Sequence, residues 1–296
     1  RELKRTQYTF ESVEGRQGFV CKLKAPQRAA AYAVKCFLRP QADREIRYHE
    51  VKRTVLAGPA RQYFVDFEYQ NEGIHARGKW YPIVKMDWIQ GLTLDEHIIA
   101  RLAAGDKNGA LETIQRYRTM MLDLQTAGIA HGDIEPGNII VTKAGLKLID
   151  YDTIFVPSLM GLRSAEFGEP LYQHPARSLH HFGAYLDNFP AWVVDNTLAF
   201  MTIHTNTFHW GWQYITERVR TDELLYTGQV TNKAIEPVIT VPVTNELRAR
   251  AHLISLISQF PVEQVPALVE DFGSNMLRRE ALMSSVNRTL QRQSGP

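Results

Sequence analysis

Residues 131–138 read His-Gly-Asp-Ile-Glu-Pro-Gly-Asn, and the position of this stretch in the chain is informative. Before it, apolar residues recur at helical spacing through residues 111–127. After it, residues 138–141 and 146–150 form two short apolar segments of the kind found in β-strands. The stretch is therefore predicted to be a loop between a helix and a short strand.

The acidic and amide side chains around this loop suit phosphate chemistry. Asp133 and Asn138 lie on the loop, and Asp150 ends the second apolar segment. Transfer of a phosphoryl group from ATP uses one carboxylate to orient the attacking hydroxyl and accept its proton. An amide oxygen and a second carboxylate hold Mg²⁺ on the phosphates. The pattern therefore predicts a phosphoryl-transfer site with ATP and Mg²⁺ as cofactors, and Mn²⁺ as an alternative metal.

In order and spacing, these residues resemble the signature of a eukaryotic-like Ser/Thr protein kinase domain, of the divergent kind found in bacteria. The loop falls on the kinase sequence His-Arg-Asp-x-x-x-x-Asn, and Asp150-Tyr151-Asp152 falls on Asp-Phe-Gly. The resemblance implies that Asp133 is the catalytic base and that Asn138 and Asp150 are metal ligands. It also implies that Asp187 is a buried structural carboxylate beneath the loop.

The nucleotide-binding segments of that family follow in the same order. Tyr32-Ala33-Val34-Lys35 resembles the strand whose lysine holds the α- and β-phosphates, and residues 15–20 resemble the end of the Gly-rich loop. Residues 85–91 resemble the linker that meets the adenine edge, with Met86 as gatekeeper. The resemblance implies a nucleotide-binding set of ten residues. They are Gly15, Gly18, Val20, Ala33, Lys35, Glu50, Met86, Asp87, Ile89 and Ile140.

A glutamate from the helix after Lys35 pairs with this lysine in the family, and two candidates are present. Glu45 and Glu50 both lie in residues 43–56, which are predicted to be helical. Five residues of helix turn through roughly 500°, so the two side chains point about 140° apart and cannot both face the site. Glu50 is the preferred partner because the connection from Lys35 needs length, and Glu45 is the alternative.

The pattern of segments and the resemblance predict an α+β, protein-kinase-like fold with two lobes. Residues 1–88 are expected to form the ATP-binding N-lobe, a small antiparallel β-sheet with one helix. Its last two strands, at 64–69 and 79–88, are expected to be joined around Asn71-Glu72-Gly73. Residues 89–296 are expected to form a larger, mostly helical C-lobe with the catalytic loop and the activation segment.

The surroundings of Asp133 depart from the kinase pattern. Gly132 replaces an arginine that, in kinases, binds a phosphate on the activation loop. Phosphorylation of that segment, which contains hydroxyls at residues 153, 158 and 164, is therefore not expected to switch activity on. Glu135 and Glu169 replace a lysine and a threonine, so a cation such as Arg163, Arg177 or a second metal is needed to offset their charge.

Three classes of function are consistent with these residues. The leading hypothesis is a kinase that transfers phosphate to a protein hydroxyl, on serine or threonine. Small-molecule phosphotransferases of the aminoglycoside and choline type share His-Gly-Asp-x-x-x-x-Asn, and acidic residues near Asp133 would suit a cationic acceptor. A non-catalytic, kinase-like binding module is the third class, although such modules usually lose one of the residues corresponding to Lys35, Asp133, Asn138 or Asp150, all of which are present.

Composition limits the partners and the compartment. The chain has 296 residues, of which 44% are hydrophobic, and a formal net charge of +2, so a globular protein with no strong attraction to nucleic acid is expected. No apolar run reaches the roughly 20 residues that cross a bilayer, and the opening residues predict no signal peptide. Two cysteines without metal or disulfide spacing favour the cytoplasm. Beyond a protein substrate, the resemblance implies a cognate phosphatase or a phosphopeptide-binding partner.

Overall fold

The computed structural model describes residues 18–24, 31–220, 244–273 and 275–293 in full, and residues 11–14, 229–231 and 240–242 as backbone. The expected α+β fold class is confirmed: an antiparallel sheet with one helix precedes a mostly helical region. The predicted Gly15 lies outside the described residues. Among the described residues, no helix combines the length and apolarity needed to cross a membrane.

The first sheet has five antiparallel strands in the order β1-β2-β3-β5-β4. The strands are Glu11–Glu14, Gly18–Lys24, Ala31–Phe37, Phe67–Ala76 for β4 and Lys79–Asp87 for β5. Helix α1, Arg44–Ala57, connects β3 to β4 through a short 3₁₀ helix at Pro59–Tyr63. Its buried side chains recur at helical spacing, and the helix packs against β4.

The hairpin between β4 and β5 turns later than the sequence pattern predicted. Arg77 and Gly78, with φ values of 50° and 79°, form the turn, and two successive positive φ values suit the right-handed twist of the flanking strands. Asn71-Glu72-Gly73 instead lie within β4, where the pairing register shifts between Gln70 and Ile74. The predicted turn at Asn71–Gly73 is therefore wrong, because turn-forming residues also occur at strand irregularities.

A second sheet and a pair of helices flank the loop at residues 131–138. Strands β6 (Leu92–Thr93), β7 (Ile139–Thr142) and β8 (Gly145–Leu148) pair in that order. Helix α2, Leu94–Ala103, begins with a capping box in which the Glu96 carboxylate accepts the Thr93 N–H at 3.0 Å. Helix α3, Lys107–Thr126, precedes the loop and ends before Gly128, whose φ of 67° turns the chain.

Four further α-helices follow in the described part of the chain. They are α4 (Asn188–Ile203), α5 (Trp212–Arg220), α6 (Asn245–Ile257) and α7 (Met276–Gln293), with the short strands β9 (Gln229–Thr231) and β10 (Thr240–Pro242) between α5 and α6. Helix α4 is buried along most of its length. The largest apolar cluster runs from Phe37 and Tyr48 through Ile134 to Trp192. The sheet and the helices therefore share one core. The boundary between an N-lobe ending at residue 88 and a C-lobe beginning at residue 89 stays a prediction.

Candidate active site

The loop at residues 131–138 is held from below by a buried carboxylate. Asp187 accepts the backbone N–H of His131 at 2.5 Å and that of Gly132 at 2.7 Å. The Thr153 hydroxyl donates to the His131 carbonyl at 2.8 Å. Asp187 is fully buried, and its bonds to the backbone confirm the structural role expected of it. The loop is thereby fixed before any ligand binds.

Asp133 is held on both of its carboxylate oxygens. One oxygen accepts the backbone N–H of Glu169 at 2.7 Å, and the other lies 3.3 Å from the amide nitrogen of Asn138. The same Asn138 nitrogen donates to the Asp133 carbonyl at 3.0 Å. Because the amide nitrogen is used in this way, the amide oxygen of Asn138 is its remaining ligand atom. Asp133 and Asn138 are thus brought together as a preoriented pair.

Asp150 lies directly after β8 and is tied to the same loop. The Ile149 N–H donates to the Asn138 carbonyl at 3.0 Å, so Asp150 and Asn138 stand on adjacent backbone segments. Asp150 has a φ of 63°, a left-handed conformation that aspartate tolerates better than most residues. Its side chain is 41% exposed, so a ligand could reach the carboxylate.

Lys35 on β3 lies beside two carboxylates of the segment that follows β8. Its ammonium nitrogen lies 2.5 Å from Asp150 and 2.6 Å from Asp152. Burial alone would lower the pKa of Lys35, but Asp150 and Asp152 outweigh it and raise the pKa above its ordinary value. Lys35 is therefore a cation at physiological pH. Lys35, Asp150, Asn138 and Asp133, predicted from three separate segments, converge on one side of the sheet.

The predicted nucleotide-binding residues of the sheet share one face. Val20 lies opposite Lys35 in the register of β2 and β3, and Ala33 lies opposite Met86 in β3 and β5. Directly paired residues in antiparallel strands project to the same side, so these side chains surround Lys35. Asp87 ends β5.

Other members of the set lie around this face. Gly18 begins β2, Ile89 is half-buried in the segment after β5, and Ile140 lies on β7. An ideal Cβ on Gly18 would lie 2.1 Å from the Cys36 carbonyl oxygen, so only glycine fits there.

Glu50 does not take the position predicted for it. Among the described residues, its carboxylate partners are Arg53 at 2.5 Å, His49 at 3.6 Å and Ser158, not Lys35. Glu45 accepts a bond from Asn71. The buried face of α1 is formed by other residues, and it includes Tyr48 and Val51. Because two residues of helix turn through roughly 200°, Glu50 points away from the face that carries Tyr48.

Arg177 contacts the backbone at Gly132, the position where the kinase pattern has an arginine. It is buried, and its guanidinium donates to the Gly132 carbonyl at 2.8 Å and to the Ser164 hydroxyl at 3.4 Å. Ser164 is itself buried and donates to the Glu166 carbonyl at 2.7 Å. The segment that contains Ser164 is therefore tied to the loop at residues 131–138 by the Arg177 side chain.

Carboxylates crowd the site. Burial, with the charges of Asp133 and Glu169, raises the pKa of Glu135 to about 7. Burial, with the charge of Asp152, also raises the pKa of Glu166 to about 7. Burial raises the pKa of Asp133 above its ordinary value. These shifts share one physical cause, which is an excess of negative charge in a partly desolvated space, and a bound cation would relieve it.

The donor atoms of Asn138 and Asp150 suit Mg²⁺. Among the described residues, no three His, Cys, Asp or Glu side chains converge as a complete metal site. Mg²⁺ is usually held by one or two carboxylates, with water and substrate phosphates completing its shell. An amide oxygen and a carboxylate beside an acidic cluster fit that pattern.

Sequence reasoning missed two members of the site. Asp152 stands where the kinase signature Asp-Phe-Gly has glycine, a position with no expected role, yet it pairs with Lys35. Tyr48 was not considered, yet its hydroxyl donates to Asp152. The helical periodicity of residues 44–57 carried the signal for Tyr48, since it shares a face with Val51 and Val55. No local signal identified Asp152 as a partner, because that contact spans 117 positions, 152 − 35.

Replacing Gly132 by alanine is expected to reduce the free energy of unfolding by about 1–3 kcal/mol, the range for a strained backbone position. Gly132 has a φ of 79°, and a Cβ there would lie 2.4 Å from the Thr153 carbonyl oxygen. Gly161, with a φ of 90° and nothing within 4 Å of such a Cβ, is the matched control. Denaturant unfolding should show a greater loss for Gly132→Ala than for Gly161→Ala. Equal losses would mean that the contact with Thr153 adds nothing.

No protein-family model matches this chain, and no curated protein matches it. Among solved structures, the kinase domain of Mycobacterium tuberculosis PknI is similar, with 15% sequence identity and a TM-score of 0.41. The similarity covers 64% of this chain and 73% of that one. A likeness at this level carries no argument about function, which depends on the geometry described above.

Proposed function

We propose that this chain is an ATP-dependent phosphotransferase of the protein-kinase type, which transfers the γ-phosphate to a serine or threonine hydroxyl of a protein. One observation supports it most: Lys35 and Asp150 form an ion pair beside an Asp133 carboxylate that is bonded on both oxygens. A cation for the phosphates, a metal ligand and a preoriented base are the groups that phosphoryl transfer requires.

Each residue has a distinct role in the proposed reaction. Lys35 would bind the α- and β-phosphates, and Asn138 and Asp150 would hold Mg²⁺, which neutralises phosphate charge when bound. Asp133 would orient the acceptor hydroxyl and take its proton. The bonds from Asn138 and Glu169 hold the Asp133 carboxylate in one orientation before the acceptor arrives.

The activation segment supports activity without phosphorylation. The hydroxyls of Thr153 and Ser164 are buried and hydrogen-bonded to backbone carbonyls, so a kinase could not reach them without local unfolding. Ser158 is exposed, but it lies beside the Glu50 carboxylate, which would repel an added phosphate. The link from Arg177 to the loop supplies the connection that a phosphate makes in other kinases.

The direct test is incubation of the purified chain with γ-labelled ATP and Mg²⁺, alone and with a generic basic protein. The proposed function predicts label on protein that is released as phosphoserine or phosphothreonine and is absent with Lys35→Met. Phosphotyrosine would retain the kinase and correct the acceptor. ATP binding without transfer to any acceptor would refute the proposal and favour a binding module.

A small-molecule phosphotransferase is the second candidate, and the acidity of the site favours it. Glu135 and Glu169 lie near Asp133, and burial with the charges of Asp133 and Glu169 raises the pKa of Glu135 to about 7. A cationic acceptor such as an aminoglycoside or choline would neutralise that charge. The same labelled ATP, offered with these compounds, distinguishes the two candidates by whether label appears on the small molecule or on protein.

Glu135→Gln is expected to stabilise the protein more at pH 8 than at pH 5. The folded-state pKa of about 7 exceeds the ordinary value of 4.5, so Glu135 favours folding less as the pH rises from 4.5 to 7. Above pH 7 Glu135 is charged in the folded state and lowers the free energy of unfolding by its full amount, so replacing it raises that free energy most there. Thermal unfolding at the two pH values measures this difference. A gain that is equal at both would show that Glu135 titrates normally in the folded state.

A further inference from the structure

Tyr48 connects helix α1 to the partner of Lys35. Its side chain is buried, and its ring stacks on Tyr69 at 5.5 Å with an interplanar angle of 14°. The edge of the Phe67 ring lies against it at 5.7 Å. From this aromatic cluster its hydroxyl donates to one carboxylate oxygen of Asp152. The other oxygen of Asp152 lies 2.6 Å from the Lys35 ammonium.

Asp150 and Asp152 differ in exposure and in whether they would also bind a metal. Asp150 is 41% exposed and is the residue that a metal would use, so its contact with Lys35 competes with metal binding. The Asp152 side chain is only 9% exposed and is directed by Tyr48. Asp152, which is not needed as a metal ligand, is therefore a better candidate than Asp150 for a permanent partner of Lys35. Glu50, on the opposite face of α1, is paired with Arg53.

We propose that Asp152, held by the Tyr48 hydroxyl, is the positioning residue for Lys35, in place of a carboxylate on helix α1. The inference rests on the proposed role of Lys35 in phosphate binding. It also concerns regulation, because Tyr48 connects Asp152 to helix α1 and packs in an aromatic cluster with Phe67 and Tyr69. Helix α1 cannot move away from the sheet without breaking the packing of Tyr48 on Phe67 and Tyr69. Lys35 is therefore held in position without an activating movement of the helix.

Tyr48→Phe tests this link because it removes only the hydroxyl and preserves the ring. Tyr69→Phe is the matched control, since the Tyr69 ring packs on Tyr48 but its hydroxyl bonds to Asn71. Glu50→Gln tests the alternative partner. We expect kcat/KM for ATP to fall about 10-fold in Tyr48→Phe, mainly through KM, as suits the loss of one hydrogen bond to a charged group. Tyr69→Phe and Glu50→Gln should remain within about 2-fold of the parent.

A second measurement does not depend on phosphate transfer. Tyr48 and Lys35 both contact Asp152, so the double variant Tyr48→Phe with Lys35→Met should be non-additive in denaturant unfolding. We expect the unfolding equilibrium constant to depart from additivity by about 3- to 30-fold. The pair Tyr69→Phe with Lys35→Met should be additive.

The two measurements separate the inference from the proposed function. Additive behaviour of Tyr48 with Lys35, or a loss of ATP kinetics in Glu50→Gln that matches Tyr48→Phe, would overturn the inference. Non-additivity with unchanged ATP kinetics in Tyr48→Phe would also overturn it, because the contact would then serve stability alone. If the parent chain neither binds nor uses ATP, the proposed function fails, and the unfolding cycle then decides whether Tyr48 positions Lys35 through Asp152.

Discussion

Asp133→Asn is expected to lower the rate of phosphate transfer by about 10²- to 10⁴-fold, the range for removal of a general base. The substitution replaces a carboxylate oxygen by an amide nitrogen with almost no change in shape. The remaining oxygen can still accept the Glu169 N–H, and the Asn138 side chain can still donate to the backbone carbonyl of residue 133. The loop should therefore stay in place while the proton acceptor is lost.

ATP affinity separates this effect from a failure to fold. Lys35 and Asp150 are untouched in the variant, so the midpoint of thermal unfolding should rise on addition of ATP and Mg²⁺ as it does for the parent. Stopped-flow or single-turnover kinetics would then measure the chemical step alone. A transfer rate in Asp133→Asn within a few-fold of the parent would mean that another group takes the proton and that the proposed role of Asp133 is wrong.

Asp195→Ala is expected to reduce the free energy of unfolding by about 3–5 kcal/mol, the usual loss when one partner of a buried ion pair is removed. Asp195 lies on α4 with its side chain fully buried, 2.6 Å from Arg118 on one oxygen and 2.6 Å from Arg250 on the other. Arg250 is 2% exposed, so the substitution leaves a buried cation with one partner fewer. The predicted loss is a large share of the 5–15 kcal/mol typical of a domain.

Two comparisons test that explanation. Glu68→Ala removes an exposed ion pair with Lys85, and its cost should stay below about 1 kcal/mol. Adding Arg250→Met to Asp195→Ala should restore part of the stability, because the second substitution removes the unpaired charge. A double variant less stable than Asp195→Ala would show that Arg250 acts through its other contacts, which include Glu246 and Asn196.

The acid sensitivity of this cluster follows from the same geometry. Burial alone would raise the pKa of Asp195, but Arg250 and Arg118 outweigh it and hold the pKa below its ordinary value. The ion pairs therefore contribute fully above the unfolded-state pKa of about 4, and their contribution declines as the pH falls below it.

Local patterns were sufficient for much of the fold. Helix α1 spans Arg44–Ala57, within one residue of the predicted helix at 43–56, because the signals that start and stop a helix are local. Strands β7 and β8, at Ile139–Thr142 and Gly145–Leu148, lie close to the apolar segments predicted at 138–141 and 146–150. The hairpin after β4 was misplaced because Asn71-Glu72-Gly73 suit both a turn and a strand irregularity. Only the pairing with β5 decides between these two arrangements.

The amino-acid sequence by itself determined the chemical groups of the site and their order along the chain. Asp133, Asn138 and Asp150 are recognisable because they lie close together in sequence, and because a loop and a short strand hold them in one region. The tertiary structure alone decided which groups surround Lys35. Asp152 reaches it from a segment that is distant in sequence and is bonded in turn by the Tyr48 hydroxyl, and Glu50 is turned away by the phase of helix α1. Helical phase and long-range packing depend on how the whole core is filled, and no local pattern of residues encodes that arrangement.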